Sequence, residues 1–383
     1  MTGSEQIMIY LDNAATTQVS RRVVDAMLPY FTEMYGNAGS IHTMGTTAAK
    51  ALQKAREQCA KPLNANPDNI IFTSGGSEAN TLAIVGLAEH LKSIGKTHII
   101  TTKVEHPSVL EAMKRLFYMG FEITYLSPDR RGNIDATDVV NAIRKSTGLV
   151  SIMAVNNETG NSYDICRIGA RCKKQGILFH TDCVQAYGNM HIDVEAYHID
   201  FLTVSGHKFH AQKGVGFLYA KHKEFLRPVI LGGGQEFTLR SGTENVPAIV
   251  GMGEAAEAAY EALALQDNSG KRKLFLNELT KELGEVRING CPHDGSKTIN
   301  LCFDGVDGET LLLLLNNKDV FVSAGSACSA HSAVPSHVLT AIGLTSDEAR
   351  SSIRVSFSTY TSNEEICEAA RIIADSVKKL QRR

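Results

Sequence analysis

Residues 70–80 read Ile70-Ile71-Phe72-Thr73-Ser74-Gly75-Gly76-Ser77-Glu78-Ala79-Asn80, an apolar β-branched run, two glycines, then helix-compatible residues. This order predicts a strand over Ile70–Ser74, a tight turn and a helix opening at the glycines. Outward from it the same rhythm recurs. His98–Thr101, Glu122–Leu126, Leu149–Val155, Ile177–Asp182, Phe201–Ser205 and Val215–Tyr219 read as strands with helical stretches between them. Ile84, Leu87, Ala88 and Leu91 fall at i, i+3, i+4 and i+7, which gives that helix one apolar face, and Gly95 is placed to stop it. Strands alternating with helices imply βαβ units, hence an α/β protein with a large, mostly parallel sheet.

Beyond residue 220 the pattern changes. A helical run from Pro247 to Leu265 leads into the polar stretch 266–273, which reads as a boundary. After it, Thr298–Phe303, Val320–Ser323 and Ile353–Phe357 read as strands. Ser362 and Glu365 have capping-box spacing at the head of a helix whose stripe is Ile366, Ala369, Ala370, Ile373, Val377 and Leu380. This end predicts a smaller α+β domain.

Composition narrows the function. The 383 residues are 43% hydrophobic, enough for a sizeable core, and 39 Lys+Arg against 41 Asp+Glu leave a formal charge of −2 with no basic block. That excludes the electrostatic footprint of a dedicated nucleic-acid binder. Neither a signal peptide nor an apolar run long enough to cross a bilayer is present, so the expectation is a soluble, cytoplasmic protein with no membrane partner. The eight cysteines are scattered without a Cys-x-x-Cys pair, which predicts reduced thiols. Thirteen histidines lack His-Glu-x-x-His or similar spacing, and no metal site is expected.

In an open parallel sheet ligands bind beyond the carboxyl ends of the strands. Three such ends carry chemistry here. Gly75-Gly76-Ser77 at a helix start suits a phosphate. Asp182, with Gln185 one turn later, follows the strand at 177; singly, such an acid is most simply a helix cap. Ser205-Gly206-His207-Lys208 ends another strand and supplies an amine that could form a Schiff base with an aldehyde cofactor. Read singly, His106 is the residue before a helix starting at Pro107, and Asn157 is a turn former. Jointly, a phosphate cradle, an acid and an amine are what pyridoxal phosphate needs: an anchor, a ring-nitrogen partner and an imine former.

Nine motifs carry a closer likeness: Leu11 to Thr17, Phe72 to Asn80, Glu105-His106, Asn156 to Gly160, His180 to Gln185, Ser205 to Lys208, Arg240 to Thr243, Ser323 to Cys328 and Arg350 to Arg354. In this order, over residues 8–380, the chain resembles the cysteine desulfurases of the NifS/IscS type. The resemblance implies a fold-type-I pyridoxal-phosphate enzyme that turns L-cysteine into L-alanine and passes the sulfur to Cys328 as a persulfide. It implies Lys208 as the Schiff-base lysine, Asp182 on the pyridinium nitrogen, Gln185 near the phenolic oxygen, and His106 stacked on the ring and assisting proton transfer. Gly76, Ser77, Ser205 and His207 would hold the phosphate, Thr243 would reach the phosphate of a partner subunit in a homodimer, and Asn157 and Arg354 would bind substrate. It implies a large domain at 16–262, and a small one at 1–15 and 263–383 carrying Cys328 and Arg354. The sulfur would pass to an acceptor protein, such as an iron–sulfur scaffold or a thiolation protein.

Cys328 lies in a run of small residues, Ser323 to Ala330, of a composition that favours mobility. His331 and His337 follow it and are expected in solvent, with His331 a candidate to deprotonate Cys328. Cys183 reads as a buried filler, and Cys59, Cys166, Cys172, Cys291, Cys302 and Cys367 as structural residues on helices or strands. Departures from the family pattern occur at Ala38-Gly39, at Gly76-Ser77 where Ala-Thr is common, and at His210-Ala211-Gln212. Two other readings remain open: a different fold-type-I enzyme, such as a selenocysteine lyase or an aminotransferase, and a non-catalytic sulfur-relay scaffold.

Overall fold

The structure is a computed structural model that describes residues 8–293, 295–324 and 335–382. Among these, a seven-stranded sheet runs in the order Ile70–Thr73, Gly216–Ala220, Phe201–Ser205, Leu178–Asp182, Thr147–Ser151, His98–Thr102, Glu122–Leu126. The last five are mutually parallel; Gly216–Ala220 is antiparallel to both its neighbours. The reason is the length of the connection. Only residues 206–215 join Phe201–Ser205 to Gly216–Ala220, and a parallel crossover needs a dozen or more. Lys208 therefore sits on a short return loop at the carboxyl edge of the sheet.

The central strands are buried throughout, as near-continuous apolar runs covered on both faces require. Helix Gly76–Gly86 packs across the strands at 178, 201 and 216. The strand expected at Leu149–Val155 instead occupies Thr147–Ser151; beyond it the chain makes the isolated bridge Val155 to Ser162. The helix read through Ile84 and Leu91 is two pieces, Gly76–Gly86 and Ala88–Ser93, and Gly95 follows with φ +69°.

A second, separate core joins Ile9 and Leu11 to Phe275, Leu279, Ile299, Leu301, Ile353, Val355 and the stripe of helix Asn363–Gln381. It underlies an antiparallel four-stranded sheet, Ser323–Ala324, Ser352–Ser356, Thr298–Cys302, Arg287–Asn289. The capping box of Ser362 and Glu365 forms as read. Within the polar stretch 266–273, read as a boundary, Asp267 caps helix Asn268–Leu283, whose Phe275 and Leu279 join this second core. One expectation is corrected. Val320–Ser323 is not one strand: Val320–Phe321 pairs in parallel with Ile9–Tyr10, while Ser323–Ala324 joins the four-stranded sheet.

Candidate active site

The carboxyl ends of the strands at 178 and 201, the start of helix Gly76–Gly86 and the second core enclose a cavity of about 480 Å³. Gly76, Ser77, His106, Asn157, Asp182, Gln185, Ser205, His207, Lys208 and Arg354 all line it. Residues separated by up to 278 positions thus meet at one edge.

Gly75, at φ +153°, caps helix Gly76–Gly86 without a side-chain hydrogen bond, leaving the amides of its first turn for a ligand. A Cβ on Gly76 would come 2.9 Å from Val184 Cγ2, so this turn packs closely against the residues after Asp182 and an alanine here would need Val184 to shift. Asp182 caps no helix, since only turns follow it; its Oδ1 accepts from the Val184 amide at 2.9 Å and its Oδ2 from Asn80 Nδ2 at 2.8 Å. Lys208 Nζ donates to the carbonyls of Ala14 and Ala15 at 2.6 and 2.8 Å. Gln185 is held by Nε2 on Ala14 O at 2.9 Å.

His106 caps helix Pro107–Tyr118 through Nδ1, which accepts from the Ser108 amide, and Ser108 Oγ lies 2.8 Å from the same nitrogen. Burial holds its pKa below the usual histidine range, against the opposing pull of Asp182. A neutral ring with Nδ1 engaged leaves Nε2 to exchange a proton in the cavity. His207 is pushed down to about 4 by burial and by Lys208, Lys213 and Lys297, so it meets a ligand as a neutral hydrogen-bonding group. Arg354 is 2% exposed; Nη2 pairs with Asp12 at 2.7 Å and Nη1 donates to Asn157 O at 3.1 Å, which aims the guanidinium from behind.

Several residues here escaped the sequence reading of individual roles. Asn80 and Asp12 stood inside quoted motifs, but only packing shows that they hold Asp182 and Arg354. Glu105 and Glu158 are buried carboxyls, raised by burial to about 8 and about 7 respectively. Glu158 takes a short hydrogen bond from Ser336, and His337 Nε2 lies 2.9 Å from Glu105 O. His337 is therefore not a free solvent residue: it is half-buried and lines the cavity. Cys291 is not on a strand or helix but in a loop, where its Sγ accepts from Arg131, and Cys166 is exposed. Thr243 is exposed and outside the cavity. Cys328 and His331 lie outside the described residues.

The cavity fits pyridoxal phosphate. Asn80 Oδ1, Gln185 Oε1 and Arg354 Nε are buried without partners among the described residues, all three on cavity-lining side chains. An anion-ready helix start, a carboxylate and an amine surround the same space.

The class-V aminotransferase family model matches residues 9–368. This chain belongs to that family. Among class-V aminotransferase relatives it is 45% identical over 376 residues to a Bacillus subtilis protein described as putative cysteine desulfurase IscS 1, covering 97% of this chain and 99% of that one. It is 43% identical over 377 residues to the cysteine desulfurase IscS of Dictyoglomus turgidum, covering 97% and 95%. A solved NifS-like protein superposes with a TM-score of 0.90 at 35% identity over 97% of this chain and all of that one. Another, described as SspA in complex with cysteine, does so at 0.81 and 38% over 92% and 100%. As a class-V member this chain is a fold-type-I enzyme that uses pyridoxal phosphate.

Proposed function

We propose that this pyridoxal-phosphate-dependent cysteine desulfurase divides its chemistry between the two cores, with Lys208, Asp182 and His106 on the large sheet and Arg354 and Cys328 on the carboxyl-terminal part. The observation that carries the reading is the convergence of Lys208, Asp182 and Arg354 on one cavity. Bound pyridoxal phosphate supplies an electron sink for the substrate α-carbon. Asp182 would hold the ring nitrogen protonated, and Asn80 and the Val184 amide hold Asp182. The turn Gly75–Ser77, with Ser205 and His207, would take the phosphate. Gln185 and Asn157 would meet the remaining polar edges.

Arg354 grips the substrate carboxylate with the donors that Asp12 and Asn157 O do not occupy, which fixes how the α-carbon is presented. Lys208 Nζ moves the proton at the α-carbon, and His106 Nε2 holds or returns one nearby. The Cys328 thiolate attacks the substrate sulfur as the carbon–sulfur bond breaks; the β-carbon keeps the electron pair and takes a proton. L-cysteine and one thiol give L-alanine and one persulfide, with no external oxidant.

The persulfide then passes to an acceptor protein, for which an iron–sulfur scaffold or a thiolation protein suits the chemistry. A homodimer fits the exposure of Thr243 and of the apolar side chains of Phe31, Tyr35, Ile41 and Leu231. Seven described cysteines are free, which suits a reducing, cytoplasmic setting. No helix among the described residues is long and apolar enough to cross a membrane. The test is alanine release from L-cysteine with mass spectrometry of the Cys328 peptide. One added sulfur, lost on reduction and absent in Cys328→Ala together with turnover, is expected; the persulfide on Cys183, or full activity in Cys328→Ala, overturns it.

A further inference from the structure

Lys297 is a buried amine for which the chemistry above has no use. It is 6% exposed and immediately precedes strand Thr298–Cys302 of the small sheet. Its Nζ donates to the backbone carbonyl of Lys208 at 2.9 Å. A side chain from the second core therefore grips the main chain of the residue whose own side chain points into the cavity.

The rest of the turn is held by the large core and the amino-terminal segment. Thr17 donates twice to His207 O, through its amide at 2.9 Å and its hydroxyl at 3.1 Å, and the Phe209 amide closes the turn on Gly206 O at 3.1 Å. Lys297 thus supplies a hydrogen bond from the small sheet to the Lys208 main chain, beside the edge-to-face contact of Tyr360 with His210 further along the loop. The charged groups that act on it are cations: Lys208 from the turn, and Arg354 from the neighbouring strand Ser352–Ser356. His207 and His210, on the same loop as Lys208, also feel its charge. Burial and these cations bring Lys297 down to about 7, so an ammonium here is held against repulsion.

We propose that Lys297 is a positioning residue for Lys208, clamping its turn from the small sheet and setting a second positive charge behind the amine. The proposal rests on Lys208 as the lysine that carries pyridoxal phosphate. Two consequences follow from the geometry. Loss of the clamp loosens the turn even in the cofactor-free protein. Loss of the charge that Lys297 carries below about pH 7 makes a proton on the Lys208 nitrogen less costly there, so the visible band of the loaded protein titrates at higher pH.

The test uses Lys297→Met, which keeps length and apolar packing but removes donor and charge, and Lys297→Arg, which restores both. In cofactor-free protein, amide hydrogen exchange of the peptide spanning 205–211 should speed up about tenfold in Lys297→Met. In loaded protein, the midpoint of the visible band should rise by about half a pH unit or more. Lys297→Arg should bring both readouts back toward wild type. If Lys297→Met does not fold, Lys297→Gln carries the measurements, and its neutral amide should move the midpoint in the same direction. A folded variant in which either readout keeps the wild-type value overturns the proposal, as does a lower melting temperature as the only change. Borohydride reduction of wild-type loaded protein separates the underlying assignment: a label on any lysine other than Lys208 removes that reading, whatever Lys297 does.

Discussion

The two walls of the cavity are built in different ways. On the large-sheet wall, Asp182 and Ser205 close strands, Gly76 opens a helix and Lys208 stands on the first turn of a ten-residue return loop, so the backbone of each is placed by its immediate chain neighbours, even where a distant group then holds the side chain. On the opposite wall Arg354 lies mid-strand, fully buried, and is aimed by Asp12 and by Asn157, residues 342 and 197 positions away. Lys297 likewise acts on a residue 89 positions away. The first wall is local and robust; the second depends on the docking of two cores.

The severest break of this comparison is Lys208→Ala, which removes the proton carrier of the local wall. Turnover should fall by roughly 10³-fold or more, with loss of the covalently held cofactor; residual activity above that, measured as alanine release, contradicts the role. Arg354→Lys tests the other wall. Losing the planar fork should raise KM for L-cysteine by about 10–100-fold while changing kcat less. An unchanged KM would mean that the carboxylate is held elsewhere.

A smaller effect concerns the buried carboxyl where the walls meet. Burial raises Glu158 from 4.5 to about 7, so between these values the folded state holds more protons than the unfolded chain and stability falls as pH rises. Relative to wild type, Glu158→Gln should therefore gain stability from pH 5 to pH 8, by about 3 kcal/mol in all. Denaturant melts across that range check it, and a parallel pair of stability curves removes the assignment. Least of all, Ser362→Ala should cost about 1 kcal/mol through the lost capping box and leave turnover unchanged, because Ser362 does not line the cavity. A change in KM there would mean that small-core stability and the Arg354 geometry are coupled.

By itself the sequence determined the local wall. Hydrophobic runs bounded by Gly, Ser and Asp place strand ends, and in a parallel sheet all such ends face one edge, so Gly76, Asp182, Ser205 and Lys208 were legible together. The capping box at Ser362 was legible for the same reason, since both of its partners lie within one turn. Tertiary structure alone decided the rest. Asp12 behind Arg354, Asn80 behind Asp182, Lys297 behind Lys208 and His337 against Glu105 are contacts between segments whose separation no periodicity encodes. The same holds for the stretch 266–273: its polar composition reads as a boundary, and only the burial of Phe275 and Leu279 in the second core shows that a helix starts inside it. Local chemistry writes the strand ends; the burial of two cores against each other chooses what stands behind them.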